Sequence, residues 1–318
     1  MAASVRISHP ITMPVRIAAG NIKSDLDLSI DELQGVLDLT AKLKHSPARY
    51  AKALSGKYLS LLFEKPSLRT RLTFELAIKQ LGGDAVVSMG PIGGREPLQD
   101  IARNLDRWTQ GIVARTFSQA TIDSLAEWSN VPVINALSDL YHPCQALADV
   151  FSLQERYGNL RGRKLAFFGD GNNVAHSLML CAVRLGMDFA LAHPKGYEAN
   201  LGVLRETEAL AHDSGATLTV TTDPREAVAG ADAIYTDVWT SMGQEQEHDR
   251  RMADFSAYQV NEALLAQARP QAAFMHCLPA KRGEEVTDGV MESANSIVFE
   301  QAENRLHVQK ALLMMLLS

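Results

Sequence analysis

The chain predicts an α/β fold in two domains, each a parallel sheet flanked by helices, joined by a long helix. Apolar runs alternate with helical patterns along most of its length, and the runs are continuously apolar, as strands covered on both faces are. A long helical pattern near the middle is followed by Gly158-Asn159-Leu160-Arg161-Gly162, which reads as a hinge-like break. At 318 residues, two compact domains are the natural expectation.

In chain order, a helix is expected at 29–44, then buried strands at 58–63, 85–88, 111–115 and 131–136. Helical patterns at 68–81, 98–108 and 122–128 lie between them. The long helix spans 143–157, with Pro143 at a first helical position that tolerates it. Alternation resumes with strands at 164–168, 188–192, 217–221, 233–238 and 272–277. An amphipathic helix at 302–317 closes the chain, with Glu303-Asn304-Arg305 ahead of it. The expected division is 1–150 and 151–300, with 301–318 as a terminal helix packing back on the first domain.

The composition, 46% hydrophobic and 21% charged, suffices for two cores and gives no case for disorder. A net charge of −6 argues against nonspecific nucleic-acid binding, although a local basic pocket can still concentrate anions. Cys144, Cys181 and Cys277 show no paired spacing, so no disulfide framework is expected and a reducing, cytoplasmic compartment is. No apolar run reaches the ~20 residues of a membrane span. Residues 1–20 read as a loose extension without the apolar core of a secretory signal; a cleaved organelle presequence is the minority alternative. Neither repeats nor low-complexity tracts occur.

Several segments carry chemistry. Phe63-Glu64-Lys65-Pro66-Ser67-Leu68-Arg69-Thr70-Arg71 follows a strand and opens a helix. A helix N-terminus offers free N–H groups, Ser67 and Thr70 add hydroxyls, and Arg69 adds a planar fork suited to phosphate oxygens. A capped helix with a solvated basic face is the bland alternative, but the density of cations and hydroxyls favours an anion site. No Gly-rich run ends in Lys-Ser or Lys-Thr, so this is not a Walker loop. His142-Pro143-Cys144-Gln145 opens the long helix, where the dipole disfavours imidazolium and leaves His142 a neutral donor. Zinc is disfavoured there because no second ligand pair has matching spacing. Arg115 closes a strand, so the anion loop, Arg115 and His142 all lie at the carboxyl rim of one sheet, where open α/β sheets bind ligands.

Gly169-Asp170-Gly171-Asn172-Asn173 invites a dinucleotide reading, but Val174 stands at the third glycine and no acidic residue follows the next strand. A polar turn carrying Asn173 is favoured. Asp237, beside Ser241-Met242-Gly243, and His276-Cys277-Leu278-Pro279 sit at strand ends of the second half. The bland readings are a turn cap for Asp237, a buried spacer for Cys277 and a salt-bridge partner for Arg305.

These motifs resemble the aspartate and ornithine carbamoyltransferase family in order, over nearly the whole chain. Ser67-Leu68-Arg69-Thr70-Arg71 is similar to its carbamoyl-phosphate motif, and His142-Pro143-Cys144-Gln145 to its second signature. Asp237 with Ser241-Met242-Gly243, and Cys277 where the aspartate branch usually has Pro, resemble the ornithine branch. The resemblance implies that Ser67, Leu68 (through its N–H), Arg69 and Thr70 bind phosphate. It places Arg115, His142, Gln145, Cys277, Leu278 and Arg305 around the carbamoyl part, with Arg115, His142, Cys277 and Arg305 catalytic. It gives Asn173, Asp237, Ser241 and Met242 to ornithine, with Asp237 expected at its head group and Cys277 nearer the reacting amine. The two domains would then bind carbamoyl phosphate and ornithine respectively. It further implies direct transfer without metal or organic cofactor, and a homotrimer. One departure stands out: Pro91 replaces a Gln that in many relatives reaches a neighbouring subunit, so either Arg95 substitutes or that contact is lost. The rival readings are a transferase for putrescine or an acylated ornithine, a nicotinamide oxidoreductase, and a silent binding paralogue.

Overall fold

The computed structural model describes residues 15–240 and 245–318. Strands β1 (Tyr58–Phe63), β2 (Asp84–Met89), β3 (Gly111–Arg115) and β4 (Val133–Leu137) form a parallel sheet in the order β2-β1-β3-β4. With it go helices α1 (Ile30–His45), α2 (Arg69–Gln80), α3 (Leu98–Trp108) and α4 (Gln119–Trp128). Helix α5 (Pro143–Tyr157) leads into the second sheet. This comprises β5 (Lys164–Phe168), β6 (Asp188–Ala192), β7 (Leu218–Thr221), β8 (Ala233–Thr236) and β9 (Ala273–His276), in the parallel order β7-β6-β5-β8-β9. Its helices are α6 (Asn173–Arg184), α7 (Leu201–Ser214), α8 (Pro224–Val228), α9 (His248–Phe255), α10 (Glu262–Leu265) and α11 (Asp288–Met291), and α12 (Val298–Leu317) ends the chain.

Local chemistry sets the boundaries. A capping box starts α1: Glu32 N–H donates to Ser29 Oγ (3.2 Å) and Ser29 N–H to Glu32 Oε2 (2.7 Å). Pro143 opens α5, and Gly158 closes it at φ 72, a region that side chains with a β-carbon avoid.

Three expectations are corrected. β2 was read as buried, but it is the sheet's edge, and Val86 and Met89 are exposed. A short apolar run looks the same in either position. The final helix starts at Val298, so Arg305 lies inside it rather than Glu303-Asn304-Arg305 preceding it. No Ser, Thr, Asp or Asn caps that start, which removes the usual signal. Nor is the helix amphipathic: every residue from Val308 to Leu317 is buried. It packs against α5, α1 and α2, and each fully buried Leu or Met there contributes roughly 1.5–3 kcal/mol.

Both sheets reverse strand order once, between β1 and β3 and between β5 and β8. Such switch points are where open α/β sheets take ligands, beyond the strands' carboxyl ends. The segment after β4 bonds directly to α6 of the second domain: Asn173 Nδ2 on α6 donates to Ser138 O after β4 (2.6 Å), and His142 N–H donates to Ser177 Oγ on α6 (2.8 Å).

Candidate active site

Ser67, Leu68, Arg69 and Thr70 lie where β1 passes into α2. No side chain caps α2, so its first N–H groups are left without a side-chain acceptor, as an anion site requires. Leu68 is exposed, consistent with a backbone role only. Thr70 is buried and receives Arg305 Nη2 at its Oγ1 (2.8 Å), which leaves its own hydroxyl hydrogen free to donate. Arg305 Nη1 also donates to Gln145 Oε1 (2.7 Å).

Arg115 arrives from the end of β3, and its guanidinium has no hydrogen-bond partner among the described residues. Burial first, then the Arg305 charge, pushes its pKa down to about 10. Arg69 lies close enough to depress both Arg115 and Arg305. Three guanidiniums held together, with no ion pair to a carboxylate among the described residues, suit an anion. His142 is buried beside them, with Nδ1 unpartnered. Burial, then Arg305 and Arg115, holds its pKa well below the usual imidazole value. The neutral state expected from the helix dipole therefore holds, but burial is its main cause.

Across the cleft, Asp237 follows β8 and Cys277 follows β9. Cys277 Sγ donates to Asp237 Oδ1 (3.0 Å), and Asn172 Nδ2 donates to Asp237 Oδ2 (3.0 Å). Burial, followed by the Asp237 charge, raises the Cys277 thiol well above its ordinary pKa, so it stays protonated and is no thiolate nucleophile. Leu278 takes φ 58, a backbone conformation costing roughly 1–3 kcal/mol and concentrated at functional sites. Its N–H donates to His276 Nδ1 (2.8 Å), while His276 Nε2 faces Glu285 Oε1 at 3.0 Å. Asp237, His276 and Cys277 cluster closely enough for a metal ion, but both imidazole nitrogens are thus occupied and the donor set does not fit one. Ser241 and Met242 lie outside the described residues.

The glycine-rich turn after β5 does not suit a dinucleotide. A β-carbon on Gly171 would meet Ala199 N at 2.2 Å, so the second glycine admits the protein's own backbone where a pyrophosphate would have to approach. Asn173 uses its amide N–H on Ser138 O, leaving its Oδ1 for a ligand. Sequence reasoning missed Asn172, whose Oδ1 caps α6 by accepting from Val174 and Ala175 N–H (3.0 and 3.1 Å) while its Nδ2 holds Asp237. An Asn directly before a helix was the available signal.

Behind His142, buried Asp25 accepts from Ser177 Oγ and from Cys181 Sγ (3.3 Å), and Arg184 Nη1 donates to its backbone carbonyl (2.8 Å). Burial raises its carboxyl to about 6. The folded state therefore binds this proton more tightly than the unfolded chain, so the group's contribution to stability is full below about pH 4 and lost as pH rises through about 6. Asp25→Asn should gain a few degrees of melting temperature relative to the parent between those limits, read by thermal melts across pH. A difference independent of pH would refute the assignment.

The carbamoyl-P binding domain of aspartate/ornithine carbamoyltransferases matches residues 21–155, and their Asp/Orn binding domain matches residues 161–316. An ornithine carbamoyltransferase of Anoxybacillus flavithermus is 48% identical over 313 residues, covering 96% of this chain and 99% of that protein. The structure of ornithine carbamoyltransferase from Pyrococcus furiosus superposes with a TM-score of 0.93 at 44% identity, over 95% of this chain and 98% of that one. That from Thermus thermophilus gives 0.85 at 46% identity, over 94% and 99%. With both domains matched in order over nearly the whole chain, the chain belongs to the aspartate/ornithine carbamoyltransferase family.

Proposed function

We propose that the chain transfers the carbamoyl group of carbamoyl phosphate to the δ-amine of L-ornithine, giving L-citrulline and phosphate. The observation that carries this is an arginine cluster with no ion-paired carboxylate among the described residues (Arg69, Arg115, Arg305) close to an acid–thiol pair (Asp237, Cys277). The first suits a dianionic acyl phosphate and the second an amine. Residues 1–150 hold the acyl donor and 151–300 the acceptor, with 301–318 returning Arg305 to Thr70.

The amine nitrogen attacks the carbonyl carbon and a tetrahedral intermediate forms. Collapse breaks the bond to phosphate oxygen. Arg115, neutral His142 and the free hydroxyl hydrogen of Thr70 donate to the developing oxyanion. Ser67, Arg69 and the N–H groups at the start of α2, Leu68 included, hold the leaving phosphate, which takes the amine's proton. Gln145 and Leu278 border the carbamoyl amide. The thiol hydrogen of Cys277 goes to Asp237, which leaves the sulfur to accept from the neutral amine. Asn173, Ser241 and Met242 orient the amino-acid end. No metal or organic cofactor takes part.

Leu68, just before α2, and Leu72 and Leu76 on α2 are exposed apolar residues, and so are Val86 and Met89 on edge strand β2. These residues support a homotrimer closed through exposed apolar surface, and a sedimentation mass other than a multiple of three chains would count against it. Among the described residues no helix is long and apolar enough to cross a membrane.

The test is citrulline formation with ornithine, putrescine, N-acetylornithine and aspartate as acceptors, followed across pH. Ornithine alone should react. The rate should rise from neutral to alkaline pH, because the free alkyl amine has a pKa of ~10.4 and only its neutral form attacks. Preference for another acceptor would overturn the ornithine assignment. A flat profile where chemistry limits the rate would overturn attack by the neutral amine.

A further inference from the structure

A buried chain of hydrogen bonds connects the anion pocket to the strand end that carries Cys277. It starts at Thr70 and passes through Arg305 to Gln145 Oε1. Gln145 Nε2 then donates to Asp149 Oδ1 (2.7 Å). Gln301 Nε2 donates to that same oxygen (2.7 Å) and to Tyr235 OH (3.1 Å). On its other side, Gln301 Oε1 accepts from the N–H of His276 (3.0 Å), directly before Cys277. Asp149 and Gln301 are fully buried, and neither touches the cleft in the role proposed for its neighbours.

The two ends of a side-chain amide are nearly alike in shape, so packing alone does not choose its orientation; its partners do. A flipped Gln145 would turn its NH2 on the Arg305 guanidinium, donor against donor. A flipped Gln301 would do the same to His276 N–H. Each amide is therefore held from both ends, by a donor on its oxygen and by Asp149 Oδ1 on its nitrogen, and that shared acceptor works whether the carboxyl is ionised or protonated on its other oxygen. Asp149 Oδ2 has no partner of normal geometry among the described residues, and the Tyr235 hydroxyl beside the carboxyl favours its ionised form.

We propose that Asp149 is a positioning residue whose Oδ1 sets the amide orientation of Gln145 and Gln301 and so couples the acyl-phosphate pocket to the acceptor-side strand end. This rests on the carbamoyl-transfer reading. Its separate content is that a buried acid on α5, outside the cleft, controls the Arg305 guanidinium through Gln145 and the His276-Cys277 backbone through Gln301.

Three variants test it, each with KM for carbamoyl phosphate and for ornithine, kcat, and inorganic phosphate binding by calorimetry. Asp149→Asn keeps an acceptor at Oδ1 and replaces only the unpartnered oxygen, so both KM values should stay within about twofold of the parent. Asp149→Leu removes the acceptor. KM for carbamoyl phosphate should rise at least about tenfold, and phosphate affinity should fall in step, since small misplacements of binding groups cost factors of this order or more. Gln301→Leu cuts only the branch to His276 and should raise the ornithine KM about tenfold while sparing phosphate affinity. A purely structural acid would lower melting temperature in Asp149→Leu and leave both KM values alone, which would overturn the proposal. So would Asp149→Asn being as damaged as Asp149→Leu. If Asp149→Leu does not fold, the contrast between Asp149→Asn and Gln301→Leu still decides. Phosphate binding needs no turnover: an inactive parent whose phosphate site weakens in Asp149→Leu alone would sink carbamoyl transfer and keep the positioning role.

Discussion

Arg115→Met should lower kcat/KM about a thousandfold while leaving the ligand-free protein as stable as the parent or more so. The loss follows from removing a preorganised donor and a full positive charge from the place where the carbonyl oxygen becomes an oxyanion, an effect of roughly 10²–10³ for a single donor. The stability expectation follows from Arg115 having no hydrogen-bond partner among the described residues and standing close enough to Arg305 and Arg69 to be depressed by both. Met fills most of the same volume without the charge, so self-repulsion in the empty pocket falls. Sites kept unstable for function behave in this way when neutralised. Thermal melts with and without phosphate, beside steady-state kinetics, read both halves. A large fall in ligand-free melting temperature would show that the guanidinium is a structural element, and the electrostatic account of the pocket would fail with it.

Asp237→Asn should raise the ornithine KM about a hundredfold and change the carbamoyl-phosphate KM little. Two effects combine. The variant loses the negative charge facing the amino acid, and hydrogen bonds to charged groups are worth about 1.5–3 kcal/mol. It also creates a donor clash, because Asn172 cannot turn its amide: its Oδ1 is held by Val174 and Ala175 N–H, so its Nδ2 must face position 237. The double change Asn172→Asp with Asp237→Asn separates the two. Asp at 172 can still cap α6 and accept from the new amide, so melting temperature should recover while activity stays low. Recovery of activity along with stability would mean that the position of the charge is unimportant and that Asp237 is only a structural partner of Asn172.

The rarity of buried acids with unmatched roles makes Asp149 and Asp25 instructive about what a sequence displays. Asp149 sits four residues after Gln145, amid Ala146, Leu147, Ala148, Val150 and Phe151. A lone acid in an apolar helical run is a visible anomaly, yet nothing local says which distant amides it serves. Gln301 and Gln145 are 156 positions apart and meet only because α12 returns across α5. Asn172 was legible as a helix cap but not as the partner of Asp237, which follows strand β8. β2 and α12 were misjudged for a related reason: exposure at a sheet edge and burial on all sides of a helix are properties of what packs alongside, not of the run itself.

By itself, the sequence determined the alternation of strands and helices, the glycine-bounded end of α5, and the residue types at the strand ends, because periodicity, caps and turns are local and each leaves its mark within a few residues. It also determined the family resemblance through the order of short motifs. Tertiary structure alone decided that α2 is uncapped, that Gly171 is filled by Ala199 rather than open to a pyrophosphate, that burial holds His142 neutral, and that one oxygen of Asp149 orients two glutamines. Those outcomes depend on desolvation and on partners distant along the chain, and both come into being only when the two sheets and the returning helix close around one cleft.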